Sequence, residues 1–145
     1  MNSELEIVFD QPPFIDKARN MFRLPEGVVF TFGRKIYNPS KRRIDEHLYA
    51  HESHHGEQQG NNPMGWWAKY LNNPAFRASQ EIPAYQIQYQ SAKKKSKDRN
   101  KLHSYLVLLA KDLSGEMYAG LMTFHEAMKA IKSERLYNFN TTEQK

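Results

Sequence analysis

The chain has 145 residues, of which 39% are hydrophobic, 12% aromatic and 26% charged, and it contains no Cys. Those proportions exclude a fibre, a coil and a disordered tail, and at this length one domain hides about 68–70% of the surface its open chain exposes, enough for a core without disulfides. Cysteine nucleophiles and Cys-ligated zinc are excluded too, so any metal is held by His, Asp or Glu, and the lack of Cys suits a reducing cytoplasm.

Residues 1–145 read as a single soluble domain. The opening Met1-Asn2-Ser3-Glu4-Leu5-Glu6 carries acids where a secretory signal carries Lys or Arg. No apolar run approaches the roughly 20 residues that span a bilayer, so no membrane partner is expected and a cytoplasmic location is. In chain order, Leu5 to Phe9 alternates as a short strand stopped by Pro12-Pro13, and Ile15 to Phe22 reads as a helix ending before the turn Leu24-Pro25-Glu26-Gly27. Val28-Val29-Phe30-Thr31-Phe32 is β-branched and aromatic and resumes through Ile36-Tyr37 to Asn38-Pro39, predicting one strand bent or bulged at Gly33.

From Asp45, a capping residue, to Gln59 the pattern predicts a helix. Pro63 and Gly65 break the chain, and Trp66-Trp67-x-x-Tyr70-Leu71 has the spacing of a short amphipathic helix whose aromatics pack in the core. Asn73-Pro74 caps a further helix through Glu81 and Tyr85, which Pro83 either kinks or divides, Ser79 then capping a second helix. Leu102 to Leu113 predicts a buried helix closed by Gly115, and Thr123-Phe124-His125-Glu126 is a capping box opening the last one. The net charge of +5 comes largely from the tract Lys93 to Lys101, read as a solvated helix end or loop; nucleic acid is not an expected partner.

The chemistry concentrates in His51-Glu52-Ser53-His54-His55, which matches His-Glu-x-x-His. Four residues of helix turn about 400°, so His51 and His55 leave one face a turn apart and can share one ion, while Glu52, about 100° round, can reach a water on that ion without binding it. Chance placement of the six His and eleven Glu gives about 0.02 such matches, so composition does not explain it. A catalytic zinc has three protein ligands and an open position. Between Glu57 and Glu116 the one other Glu is Glu81, selected by elimination if the third ligand is a Glu; His103, His125, Asp98 and Asp112 remain alternatives. His47 and His54 read as polar neighbours of the pair, not as ligands.

His51-Glu52-x-x-His55 followed by Glu81-x-x-Ala84 resembles the gluzincin zinc metallopeptidases. Phe32-Gly33, Ile36-Tyr37-Asn38-Pro39, Gln58-Gln59, Trp66-Trp67, Tyr70 and Ala84-Tyr85 are similar to small phage-encoded proteins described as metallopeptidases, the similarity covering Val28 to Gln90. The resemblance implies an α+β, zincin-like fold with a small antiparallel or mixed N-terminal sheet on the motif helix and a mostly helical C-terminal half. It implies Zn2+ on His51, His55 and Glu81, with Glu52 as general base of an endopeptidase acting on a protein or peptide. The strand Val28–Tyr37 would be the edge along which an extended peptide lies, with Tyr70, Tyr85, His103 and Tyr118 as candidate oxyanion donors. One departure stands out: larger gluzincins commonly place an Asp four residues after the Glu ligand to orient the first His, and here that residue is Tyr85. The alternative function is an inactive zincin-like binding or virion protein with a structural zinc.

Overall fold

The computed structural model describes residues 4–21, 24 and 27–137. The expected end of the first helix at Phe22 and the turn residues Pro25 and Glu26 lie outside them. The architecture is α+β: a three-stranded mixed sheet near the N-terminus is followed by a mostly helical C-terminal half. Strands β1 (Glu6–Val8), β2 (Phe30–Phe32) and β3 (Lys35–Tyr37) lie in the order β1-β3-β2, with β1 parallel and β2 antiparallel to β3. α1 (Ile15–Met21) connects the first two strands.

The expected single strand bent at Gly33 is instead a hairpin, with Phe32 opposite Lys35 and only Gly33 and Arg34 between them. A backbone φ of +65° at Gly33 makes this reversal, and β-branched and aromatic residues on both sides of it conceal the turn from a reading by composition. Thr31, opposite Ile36, holds the register position whose N–H and C=O point off the free edge of β2. That edge is covered: Thr31 O accepts from Gln59 Nε2 at 2.7 Å and Trp67 Nε1 at 2.8 Å, and Gly33 N donates to Gln59 Oε1 at 2.7 Å. One side-chain amide thus pairs with the strand as a neighbouring peptide group does.

α2 (Glu46–Gln59) begins as expected, Asp45 accepting from Leu48 N. α3 spans Pro63–Asn72, so Pro63 and Gly65 sit inside its first turn instead of breaking the chain; Asn62 caps it, and a proline costs nothing where the N–H has no partner in the helix. α4 (Pro74–Lys95) is one helix containing Pro83. Ser79 is not a cap there, since its hydroxyl donates back to Phe76 O. α5 (Arg99–Leu113), capped by Asp98, leads through a 3-10 turn at Glu116–Tyr118 to α6 (Phe124–Lys132), opened by the expected capping box. Among the described residues no helix is long and apolar enough to cross a membrane.

Two apolar clusters form the interior. One gathers Ile82, Tyr85 and Tyr89 of α4 with Leu106, Leu109 and Leu113 of α5 and Ile131 of α6; the other joins Ala18, Phe30, Trp66, Trp67, Tyr70 and Leu71. α2 belongs to neither. Its buried residues, His51, Glu52, His55 and Gln59, are all polar, so hydrogen bonds and not an apolar stripe hold it against α4 and β2. Gln59→Leu, which orphans the Gly33 N–H, is expected to cost about 1–3 kcal/mol in urea unfolding; an unchanged midpoint would show that the amide is dispensable.

Candidate metal centre

His51 and His55, a turn apart on α2, face Glu81 on α4. Glu81 Oε1 lies 3.0 Å from His51 Nε2 and 3.0 Å from His55 Nε2. One ligand atom from each of the three falls within 4.8 Å of the others. Tetrahedral bonds of about 2.0–2.2 Å separate donor atoms by roughly 3.3–3.6 Å, so to enclose an ion the two imidazole nitrogens close by about 1 Å while Glu81 Oε1 draws back by a few tenths. Glu52, equally buried, stands aside: Thr31 Oγ1 donates to its Oε1 at 2.7 Å, and its Oε2 is 4.0 Å from His51 Nε2.

Each of the three has a neutral partner on its far side. Gln58 Nε2 donates to Gln80 O, which turns Gln58 Oε1 toward His55 Nδ1 at 2.8 Å; Gln88 Nε2 donates to the Tyr105 hydroxyl, which turns Gln88 Oε1 toward His51 Nδ1 at 2.8 Å. Both Nδ1 atoms therefore carry the proton, leaving Nε2 to face the centre. Tyr70 donates to Glu81 Oε2, so Oε1 alone faces the imidazoles. Burial, then the neighbouring Glu81 and Tyr70, push the buried Tyr118 hydroxyl well above its ordinary value, keeping it protonated. Buried Arg77 ties this layer down, donating from Nη1 to Tyr70 O and from Nε to Met117 O. Tyr85 itself meets the His51 ring edge to face at 4.7 Å. The residue that orients His51 is Gln88, nearly one turn beyond Tyr85 along α4.

Burial alone disfavours charge on either group, yet the Glu81 carboxylate raises His55 to about 9, and His55 and His51 hold Glu81 well below the usual carboxylate range. Burial, then the charges of His55 and His51, lower His54 to about 4, so it is neutral near pH 7. Burial and the neighbouring Glu81 push the Tyr70 hydroxyl upward, keeping it a donor.

The four residues predicted as ligands and base thus meet in one place, and the other candidates do not join them. Asp98 caps α5, His103 and His125 are exposed, and Asp112 is an exposed residue near the end of α5. His47 is engaged with Ser91 Oγ at 2.7 Å. His54 lines, with Gln58, Trp66, Lys69, Phe76 and Gln80, a groove of about 670 Å³ that His51, His55 and Glu81 do not line. Nothing in the sequence marks Thr31 as the donor to Glu52, and Tyr70, expected as a candidate oxyanion donor, donates instead to Glu81 Oε2. Gln58, three residues after His55, shares a helix face with the imidazole it holds, whereas Gln88, seven residues after Glu81 on α4, holds His51 across on α2.

No family model, no curated protein and no solved structure matches this chain.

Two outcomes follow for metal uptake. Gln88→Leu is expected to weaken divalent-metal affinity about 10–100-fold in chelator competition, because His51 loses its orienting acceptor. A cation entering the site displaces the proton that Glu81 holds on His55. Affinity is therefore expected to fall about tenfold per pH unit below about 9, with about one proton released per ion near pH 7 in calorimetry across buffers of different ionisation enthalpy. Uptake without proton release would exclude this arrangement.

Proposed function

We propose that the protein is a zinc-dependent hydrolase of peptide bonds, acting as an endopeptidase in the cytoplasm of a phage-infected host. The observation that carries this reading is Glu52. A structural metal site has no use for a second buried acid held off the ligand set, whereas a hydrolytic one requires it. The two imidazoles and one carboxylate are a donor set typical of catalytic zinc, with three protein ligands and a position to spare. Zinc, when bound, supplies Lewis-acid polarisation of a carbonyl and acidification of water.

The chain's own residues supply the rest. Thr31 occupies Glu52 Oε1 and so leaves Oε2 to take a proton from the attacking water and return it to the departing amine. Tyr70 restricts Glu81 to one oxygen toward the site, which preserves room for the substrate carbonyl. The peptide as substrate rests on the resemblance of the His51-to-Tyr85 region. Main-chain pairing of that peptide with β2 at Thr31 is not part of the reading, because Gln59 and Trp67 already fill that edge.

The same closed edge, together with the near-complete burial of all four residues, favours a second reading, a metal held for structure in a binding or virion protein. One pair of variants separates the two. Glu52→Gln is expected to retain about one zinc per chain and lose about 10²–10⁴-fold in cleavage of an unfolded protein substrate, whereas His51→Ala loses both. Wild-type protein that holds zinc tightly and cleaves nothing in a peptide library decides for the structural reading.

A further inference from the structure

Lys93, Lys94 and Lys95 close α4, and Lys97, Arg99 and Lys101 surround the start of α5; all six are exposed. The tract is only half of a larger feature. α2 runs antiparallel to α4, as the successive contacts Glu46–Lys95, His47–Ser91, His51–Gln88 and His55–Glu81 record. The exposed loop that leads into α2, Lys41-Arg42-Arg43, is thereby delivered beside the lysine tract from about 50 residues away in sequence. Arg42 lies near enough to α5 to act on the Tyr105 hydroxyl, and its guanidinium is held by the neutral acceptors Gly27 O and Arg43 O, so its charge is retained.

Residues 41–46 and 93–101 together carry nine cations and three acids, more positive charge than the +5 of the whole chain. The acids have other duties. Asp45 accepts from Leu48 N, Asp98 accepts from Asn100 N and Lys101 N, and Glu46 pairs with Lys95 at 3.5 Å. Among the described residues no carboxylate pairs with Lys41, Arg43, Lys94, Lys97, Arg99 or Lys101. Like charges gathered this way oppose one another in the folded state and serve association with a polyanion.

We propose that this pole is a nucleic-acid-binding surface that grips the phosphate backbone. A membrane surface fits less well, since lipid binding draws on buried apolar area as well as charge and the exposed ring of Phe9, 5.4 Å from Lys41 Nζ, is the large apolar side chain at hand. An acidic peptide would need a groove; the one described above opens beside His54, at the opposite end of α2 from the basic loop, and a second, of about 490 Å³, is lined by Lys129 and Lys132 of α6 and by none of the cations of this pole. Cations from three segments spread over an open surface suit a polymer with charge at regular intervals. The proposal is independent of the metal centre.

The test is binding of the full chain to a short labelled duplex DNA by fluorescence anisotropy across a KCl series. Each phosphate contact contributes about −0.9 to the slope of log affinity against log salt, so six free cations predict a slope of about −5. Neutralising the loop (Lys41→Gln, Arg42→Gln, Arg43→Gln) is expected to reduce the slope by about 2–3 and to weaken binding at least tenfold at low salt, as neutralising Lys94, Lys97 and Lys101 does. Thermal unfolding checks that the fold survives; should a triple variant misfold, Arg43→Gln and Lys94→Gln singly, each removing about 0.9 from the slope, decide the matter. No binding at low salt, a slope indifferent to the loop, or tighter binding to phosphatidylserine vesicles than to DNA would overturn the proposal.

Discussion

A carboxylate withdrawn from water costs several kcal/mol unless charge and hydrogen bonds meet it, and Glu81 is met on both oxygens. His51 and His55 face Oε1 while Tyr70 donates to Oε2. This encounter does for α2 what an apolar stripe does for an ordinary helix. Every fully buried side chain of α2 is polar, so the helix brings no buried apolar stripe to α4. Its place is set by the imidazole pair reaching Glu81, by Glu52 reaching Thr31 and by Gln59 reaching the edge of β2. Folding of this part of the chain and the chemistry of the site are therefore one problem, and a cation that binds the trio stabilises the helix packing directly.

The surroundings make that arrangement rigid. Tyr70 belongs to one apolar cluster and Tyr85 to the other, and Met117 packs against both, so the centre lies at the seam where the two halves of the interior meet. The ring of Trp66 lies 5.4 Å from His55 and that of Tyr85 4.7 Å from His51. Each imidazole is thus fixed by one aromatic neighbour and one glutamine. Neutral acceptors in those places orient the rings without adding charge, which leaves Glu81 and Glu52 as the negative groups facing the centre.

The parts of this architecture legible in the sequence are those with local causes. The 3.6-residue period places His51, Glu52 and His55, and elimination reaches Glu81 only once the third ligand is taken to be a Glu, since His103, His125, Asp98 and Asp112 stay open on the sequence alone. Asp45 and Thr123 announce their helices through equally local causes. The hairpin is hidden because Gly33-Arg34 interrupts a β-rich run too briefly to show, and of the two readings of Pro83 the division of α4 at Ser79 does not occur. Gln59, Tyr70 and Gln88 act on partners 11 to 37 residues away, where periodicity has nothing to say.

Thr31 shows how far the sheet has been turned to the service of the site. Its hydroxyl donates to Glu52, and its carbonyl, which an open edge would offer to a peptide, accepts from Gln59 and Trp67 instead. An edge strand is ordinarily either shielded or used for pairing with another chain, and β2 is shielded at the residue that touches Glu52. The sheet therefore contributes to the chemistry by fixing a carboxylate, not by presenting a backbone. Under the proposed peptidase reading, a peptide entering the site is positioned by what lies around the trio on the helical side, so selectivity is expected to reside in α3, α4 and the turn at Tyr118, the side from which Tyr70 holds Glu81.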